Sequence, residues 1–119
     1  MSAVNADLGA ILWRTVELHR VTSGPKDRYG VVTYVEGAAE SVPAYFEVTE
    51  TVESAGTDRE RRETALLVLW PDVDPKARDV VDVDGERWQI DGPPRTLDAL
   101  LAGAPHHTEA TLVRVREGP

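Results

Sequence analysis

The sequence predicts a mainly β fold, namely a small antiparallel β-barrel or sandwich of five to seven strands, with one or two short helices and a long projecting loop. Three observations predict it. Gly, Pro and Asp recur at short intervals along the 119 residues and divide the chain into short segments. Several segments alternate apolar and polar residues with a period of two, as half-buried strands do. Hydrophobic residues make up 41% of the chain, which is enough for one packed core and one domain, residues 1–119.

The first strand is predicted over "LWRTVELHR", residues 12–20, with Val16 and Leu18 facing inward. The following "SGPKDRYG", residues 23–30, is dense in turn formers and is expected to be a loop. "VVTYVE" then forms either a short strand or an extended arm, and "GAAESVP" is expected to interrupt it.

Two central strands follow. In "VPAYFEVTETVES" the alternation places Phe46, Val48 and Val52 on one face. The nearly continuous apolar run "ETALLVLWP", residues 63–71, indicates a strand buried on both faces. Pro71 is expected to end that strand, because proline cannot donate a hydrogen bond to the next strand.

The stretch "VVDVDGERWQI" predicts a hairpin, because Asp84-Gly85 is a favoured pair for a two-residue turn. That turn places Val83 opposite Glu86 and Val81 opposite Trp88. One face is then apolar and forms the hairpin core, which consists of Val81, Val83, Trp88 and Ile90. Asp82 and Arg87 face each other on the opposite side of the sheet.

The remaining elements are short. Residues 72–79 are expected to form a turn with at most one helical turn, and "TLDALLAGA", residues 96–104, has helical composition. Residues 1–11 form an N-terminal arm or a short helix. The last strand, "TEATLVRVR", has Ala110, Leu112 and Val115 as its core candidates.

The composition excludes several classes of function. Without cysteine the chain has no disulfide, no Cys-ligated metal and no thiol nucleophile. A net charge of -8 disfavours binding through nucleic-acid phosphates or to anionic membranes. The N-terminus lacks the features of a signal peptide, and no apolar run approaches the ~20 residues of a membrane span. We therefore expect a location in the cytoplasm or in a particle assembled there.

No motif indicates an enzyme, a cofactor or a metal site. The nucleophile elbow, the P-loop and the dinucleotide-binding fingerprint are all absent. The acidic turn fails the calcium-loop spacing, because its fifth and sixth positions are Lys76 and Ala77. His106 and His107 are adjacent on a predicted strand, so their side chains are expected to point to opposite faces. The sequence leaves open whether the fold brings His19 near them.

The longest polar stretch, residues 49–63, lies between two predicted strands. It is either an ordinary exposed hairpin end or a projecting loop that contacts a partner or lines a channel.

The segments in order carry a resemblance. "VELHRVTSGPKDRYG", a run ending in "LWP", then "DVDPKARDVVDVDGERWQIDGPP" and "HHTEATLVRV" together resemble the head-to-tail stopper (head closure, or neck connector) proteins of long-tailed bacteriophages, in particular phages of actinobacteria. The resemblance covers residues 16–117. It departs from the family at "TLDALLAGA", which stands where a more polar, aromatic-bearing loop is usual, and at Trp70, where an aliphatic residue is common.

The resemblance implies a virion structural protein. Such proteins form a homo-oligomeric ring, a hexamer or dodecamer, beneath the portal and its adaptor, and the tail terminator and tail tube follow below. The ring retains packaged DNA, and double-stranded DNA passes through it without sequence-specific binding. Assembly takes place in the host cytoplasm, with no membrane involved. In the family a long loop between two central strands reaches the channel, and its counterpart here consists of Glu53, Ser54, Ala55, Gly56, Thr57, Asp58, Arg59, Glu60, Arg61 and Arg62.

Three other hypotheses stay open on the sequence. A tail terminator or another neck or tail subunit fits the β-rich pattern, although an adaptor would be mainly helical. An acidic immunity-type binding module that masks a basic partner fits the net charge. A small β-barrel enzyme is the remaining alternative and has no motif in its favour.

Overall fold

The computed structural model describes residues 10–53, 60–98 and 105–117. The described residues contain seven strands and one short 3-10 helix, as the sequence predicted for the fold class. The strands are β1 (Arg14–Lys26), β2 (Val32–Glu53), β3 (Glu60–Leu69), β4 (Val80–Val83), β5 (Glu86–Ile90), β6 (Arg95–Asp98) and β7 (Pro105–Glu117), with the 3-10 helix at Pro71–Val73.

The strands form a barrel-like ring in which every pairing is antiparallel. The order runs β3-β2-β1-β4-β5-β7-β6, and an additional pairing of β3 with β7 closes the ring. β5 and β6 both pair with β7, β5 at residues 112–113 and β6 at residues 105–109. The ring therefore consists of six strands, and β6 extends it along one edge of β7.

The core fills the interior of this ring. Trp88 lies at its centre, 1% exposed, and Phe46 packs edge-on against it with 5.3 Å between ring centroids. The inward positions of Val16 and Leu18 on β1 are confirmed, as are those of Ala110 and Leu112 on β7. Every strand of the ring contributes to one apolar cluster, which explains why a domain this small closes its sheet.

The β4–β5 hairpin has the predicted register. Val81 pairs with Trp88 and Val83 with Glu86, and all four predicted core residues are at most 3% exposed. Asp84 and Gly85 both have positive φ, 51° and 80°, as this two-residue turn requires. The local sequence alone therefore determines this part of the fold.

β3 is buried on both faces, as its apolar run predicted. Leu67 and Leu69 face the core, while Val68 faces outward and packs with Leu12 in a second cluster. That cluster also includes Tyr45, Leu66 and Trp70. The strand ends directly before Trp70 and Pro71, as expected.

β2 is longer than the sequence indicated. Residues 37–43, expected to break the strand, lie within it. Twenty-two residues would span about 73 Å if straight, whereas the longest dimension of the molecule is 51 Å. β2 therefore bends. Extra residues in β2 mark one bulge against β1 near Gly37 and one against β3 at Thr49, and a further register shift against β1 lies between Ser23 and Lys26. A Cβ on Gly37 would lie 3.1 Å from the carbonyl oxygen of Arg20, so only glycine fits without displacement.

The bulge at Thr49 corrects one prediction. Phe46 and Val48 pair with Leu67 and Ala65, which face the core, but after the bulge Val52 pairs with Arg62 on the outer face. The extra residue reverses the side on which later residues project, so Val52 does not share a face with Phe46.

A second correction concerns β7. Val115, predicted as core, is 55% exposed, because the period of two that buries Ala110 and Leu112 continues to Arg114. The guanidinium of Arg114 lies 4.5 Å from the Trp88 ring centroid and closes that end of the core.

Two predictions about loops and helices are also corrected. Residues 23–26 belong to β1, so only residues 27–30 form the turn that was expected over 23–30. Residues 96–98 belong to β6 and are not helical, while residues 99–104 of the predicted helix lie outside the described residues. Ala10 and Ile11 have helical backbone, and residues 1–9 lie outside the described part. Within the described ranges no helix is long and apolar enough to cross a membrane.

Candidate assembly surface

The described residues contain no group of three or more His, Cys, Asp or Glu side chains that could hold a metal ion. His106 and His107 do contact each other, with 2.7 Å between their Nδ1 atoms and their rings perpendicular. This corrects the expectation that the two side chains point apart. The register of β6 against β7 shifts at this point, between Leu97 and Asp98, so the simple alternation does not apply. His19 has different partners, described below.

The acidic turn before β4 is structural. Asp79, 1% exposed, accepts hydrogen bonds from the backbone amides of Val21 and Lys76, both at 2.9 Å. These bonds attach β1 to the turn, and the guanidinium of Arg20 donates to the carbonyl oxygen of Asp74 at 2.7 Å. The carboxylate that resembled part of a calcium loop thus receives its hydrogen bonds from backbone amides.

The most prominent surface feature is a two-stranded arm, residues 20–36, made from the second half of β1, a turn and the start of β2. β4 pairs with β1 only at residues 17–19, and β3 pairs with β2 only from Ala44 onward. Beyond those points each arm strand pairs only with the other, so both outer edges of the arm lack a neighbouring strand among the described residues. Such edges are sites at which another chain can add.

The arm exposes large apolar side chains. Tyr29 is 76% exposed at the turn, and Val31, Tyr34 and Val35 are each at least 50% exposed. Isolated two-stranded ribbons are marginally stable in water unless another element covers them. This surface is therefore the part of the described molecule that most needs a partner.

The tip of the arm, residues 26–31, is an internally hydrogen-bonded and basic turn. The Oδ1 atom of Asp27 accepts hydrogen bonds from the amides of Tyr29 and Val31, at 2.8 and 2.9 Å. The guanidinium of Arg28 lies over the Tyr29 ring, 5.0 Å from its centroid. With Lys26 the tip has two cationic side chains against one carboxylate, although the whole chain has a net charge of -8.

A histidine fastens the root of the arm. The Nδ1 atom of His19 lies 3.0 Å from the carbonyl oxygen of Gly37, and its Nε2 atom lies 2.9 Å from Asp82. Both neighbours are acceptors, so both bonds form only when both ring nitrogens carry a proton. The bonds to Gly37 and to Asp82 accordingly raise the pKa of His19, with a further contribution from the charge of Glu36.

Arg87 on β5 completes this root. It donates to Glu36 and lowers the pKa of that carboxyl group. Asp82 and Arg87 face each other across the β4–β5 ladder as predicted, but their hydrogen bonds join them to His19 and Glu36. The outer face of the hairpin therefore serves to hold the arm.

At the other end of β1 an open pocket of about 370 Å³ lies on the outer face of the ring. Its lining is mostly apolar and consists of Ile11, Tyr45, Val68, His106, His107 and Glu109. The Tyr45 hydroxyl donates to Glu47 at 2.8 Å, which raises the pKa of Tyr45 and places a second carboxylate beside the pocket.

The candidate channel segment, residues 53–62, is only partly described. Glu53 ends β2, and Glu60, Arg61 and Arg62 begin β3, so these four residues are strand residues. Arg61 pairs with Glu53 at 2.9 Å. Residues 54–59, which would form the tip of a projecting loop, lie outside the described residues. Sequence reasoning located this hairpin and offered an extended arm over "VVTYVE", but it missed the second strand of the arm, because "SGPKDRYG" suggests a solvent-exposed loop. The exposed Tyr29 and Tyr34 were the available signal.

Comparisons with known proteins give fold likenesses at low identity. No protein-family model and no curated protein matches the sequence. The phage-like element PBSX protein xkdH from Bacillus subtilis aligns with a TM-score of 0.56 and 17% identity, over 85% of this chain and 92% of that one. A chain of the virion of a native gene transfer agent particle aligns with a TM-score of 0.63 and 16% identity, over 88% of this chain and 96% of that one. Nearly the whole length of each of these two known chains thus shares the fold of this one.

Proposed function

We propose that this chain is a virion structural protein of the head-to-tail stopper type. It forms a ring between the portal with its adaptor and the tail, retains packaged DNA and presents the surface to which the tail attaches. Its action is steric, and it has no catalytic role.

One observation carries the proposal. The fold agrees over most of both chains with a chain of a gene transfer agent virion, and the described residues include an arm with two unpaired edges and exposed aromatic side chains. A structural subunit needs surfaces of this kind, since a small domain gains in an assembly the buried area that it lacks alone. The ordered sequence resemblance to stoppers is independent support for the finer assignment.

The acidity of the chain suits a channel through which DNA moves. Fixed negative charge repels phosphates and prevents the subunit from gripping the duplex. In the proposed ring, the β2–β3 hairpin end with residues 54–59 is the gate or lumen contact.

The test is to disrupt the gene in the virus or prophage that encodes the chain and to examine the particles by electron microscopy. Loss of the chain is expected to yield heads that package DNA, lose it and carry no tails. Complementation with a variant in which residues 54–59 are replaced by two glycines is expected to restore tail attachment but not DNA retention. Stable, filled and tailed particles without the chain would refute the proposal, and normal DNA retention with the shortened hairpin would refute the gate.

A tail terminator is the second candidate, favoured by the same fold likeness. The same particles distinguish it, because loss of a terminator leaves DNA-filled heads intact and produces free tail tubes of abnormal length.

A further inference from the structure

We infer that the tip of the arm, residues 26–31, inserts Tyr29 into the outer pocket of a neighbouring copy of this chain. The inference rests on the proposed ring and specifies which two surfaces join its subunits.

The shape of the two surfaces agrees. Tyr29 is the most exposed large apolar side chain among the described residues, and the hydrogen bonds that Asp27 accepts fix the turn that presents it. The pocket of about 370 Å³ is open, mostly apolar and wide enough for one aromatic ring with part of a flanking side chain. Rigid aromatic side chains filling apolar pockets are the usual centres of protein interfaces.

The charges of the two surfaces are complementary. Lys26 and Arg28 flank Tyr29 in an otherwise acidic chain, and Asp27 is engaged by backbone amides. The pocket has Glu109 in its wall and Glu47 hydrogen-bonded to Tyr45 at its border. Docking therefore brings two cations to two carboxylates around an apolar centre, which favours this partner over a basic one.

The position of the two surfaces requires a second copy. Ile11 lines the pocket three residues before the start of β1, and the tip begins at Lys26, where β1 ends. The 13 residues of β1 span about 40 Å, so tip and pocket of one chain lie at opposite ends of a strand. A contact between two different surfaces can repeat from one copy to the next. Such head-to-tail contacts generate a ring when the rotation that relates successive copies adds up to a full turn.

Charge reversal tests the contact without disturbing the core, since Arg28 is exposed and Glu109 lies on the outer face. Arg28→Glu and Glu109→Arg are each expected to reduce incorporation of the chain into particles by at least about tenfold, and the double variant is expected to restore it. Arg62→Glu on β3 is the matched control, because Arg62 is exposed and pairs with Val52 and Val115, away from both surfaces. Normal incorporation of both single variants would overturn the inference.

Cross-linking identifies the partner directly, because the chain has no native cysteine. Particles with Arg28→Cys and Glu109→Cys together, treated with a short bifunctional thiol reagent, are expected to give a ladder of dimers, trimers and larger species. Arg28→Cys with Gln89→Cys, on β5, is expected to give none. Absence of a ladder while the chain is present in particles, or dimers alone, would overturn the docking and leave the ring proposal intact. Absence of the unaltered chain from normal particles would overturn both.

Discussion

The β4–β5 hairpin and the β1–β2 arm are built alike, but they differ in the exposure of their apolar side chains. Each has a tight turn with a glycine at φ 80°, Gly85 in one and Gly30 in the other. The apolar side chains of the first are at most 5% exposed, while Tyr29, Val31, Tyr34 and Val35 of the second are at least 50% exposed. Pairing and turn chemistry make a ribbon, but only a covered face makes it stable. The first hairpin is completed inside the chain, and in the proposed ring the second is completed by a neighbouring subunit.

The two regions are expected to differ most in how much the truncation of an aromatic side chain lowers the free energy of unfolding. Trp88→Ala should lower the free energy of unfolding by about 3–5 kcal/mol, because it opens a cavity in the core, whereas Tyr34→Ala should change it by about 0.5 kcal/mol or less. Urea unfolding followed by circular dichroism measures both. Trp88→Phe is the control: it keeps an aromatic ring and removes an indole N–H that has no hydrogen-bond partner among the described residues, so it should cost less. Similar costs for Trp88→Ala and Tyr34→Ala would refute the distinction.

The buried charge pair beside Trp88 comes next. Arg114 contacts Glu63 at 2.9 Å and Glu86 at 2.6 Å, and the side chains of Arg114 and Glu63 are only 12% and 10% exposed. Arg114→Met should destabilise the protein by about 3 kcal/mol, because Glu63 loses this cation in a site that excludes water. Arg28→Met, which removes an exposed arginine from the arm, should change the same urea midpoint little. Equal urea midpoints for Arg114→Met and Arg28→Met would show that the pair of Arg114 and Glu63 does not stabilise the core.

Replacing each of the two turn glycines by alanine gives a matched comparison, in which the strain of a positive φ costs about 1 kcal/mol. A Cβ added at either position would meet no atom within 4 Å, so alanine at either site meets only the strain of a positive φ. Gly85→Ala should lower global stability by that amount. Gly30→Ala should leave global unfolding nearly unchanged and instead speed amide hydrogen exchange in the arm. If both variants lowered global stability equally, the arm would fold as one unit with the core.

The smallest effect is a pH dependence at the root of the arm. The pKa of His19 is raised in the folded state, so its stabilisation is complete below the ordinary value of 6.5 and is lost as pH rises through the raised value. The charged groups that face His19 are Glu36, Asp82 and Arg87. Stability should therefore fall modestly from pH 6 to pH 8.5, and His19→Gln should abolish that decrease. An unchanged pH profile in His19→Gln would assign the decrease to other groups.

The sequence predicted the elements whose neighbours along the chain decide their structure. Asp84-Gly85 fixed a turn, the turn fixed the register, and the register placed Trp88 opposite Val81. The apolar run of β3 indicated burial on both faces, because only a strand between two apolar layers is apolar throughout. Predictions failed where one extra residue reverses the alternation of inward and outward side chains, as at Thr49. They also failed where a polar residue takes an inward position, as Arg114 does.

The sequence by itself determined the fold class, the β4–β5 hairpin and the strands that form the core, since turn residues and a period of two act over a few residues. Only the tertiary structure decided that "SGPK" continues β1, that Asp82 binds His19 across 63 positions, and that tip and pocket lie at opposite ends of one strand. Those features depend on which strands become neighbours when the ring closes. Closing the ring buries the whole core, and it costs conformational entropy of the chain. The outcome depends on all strands together, so no short stretch of sequence determines it.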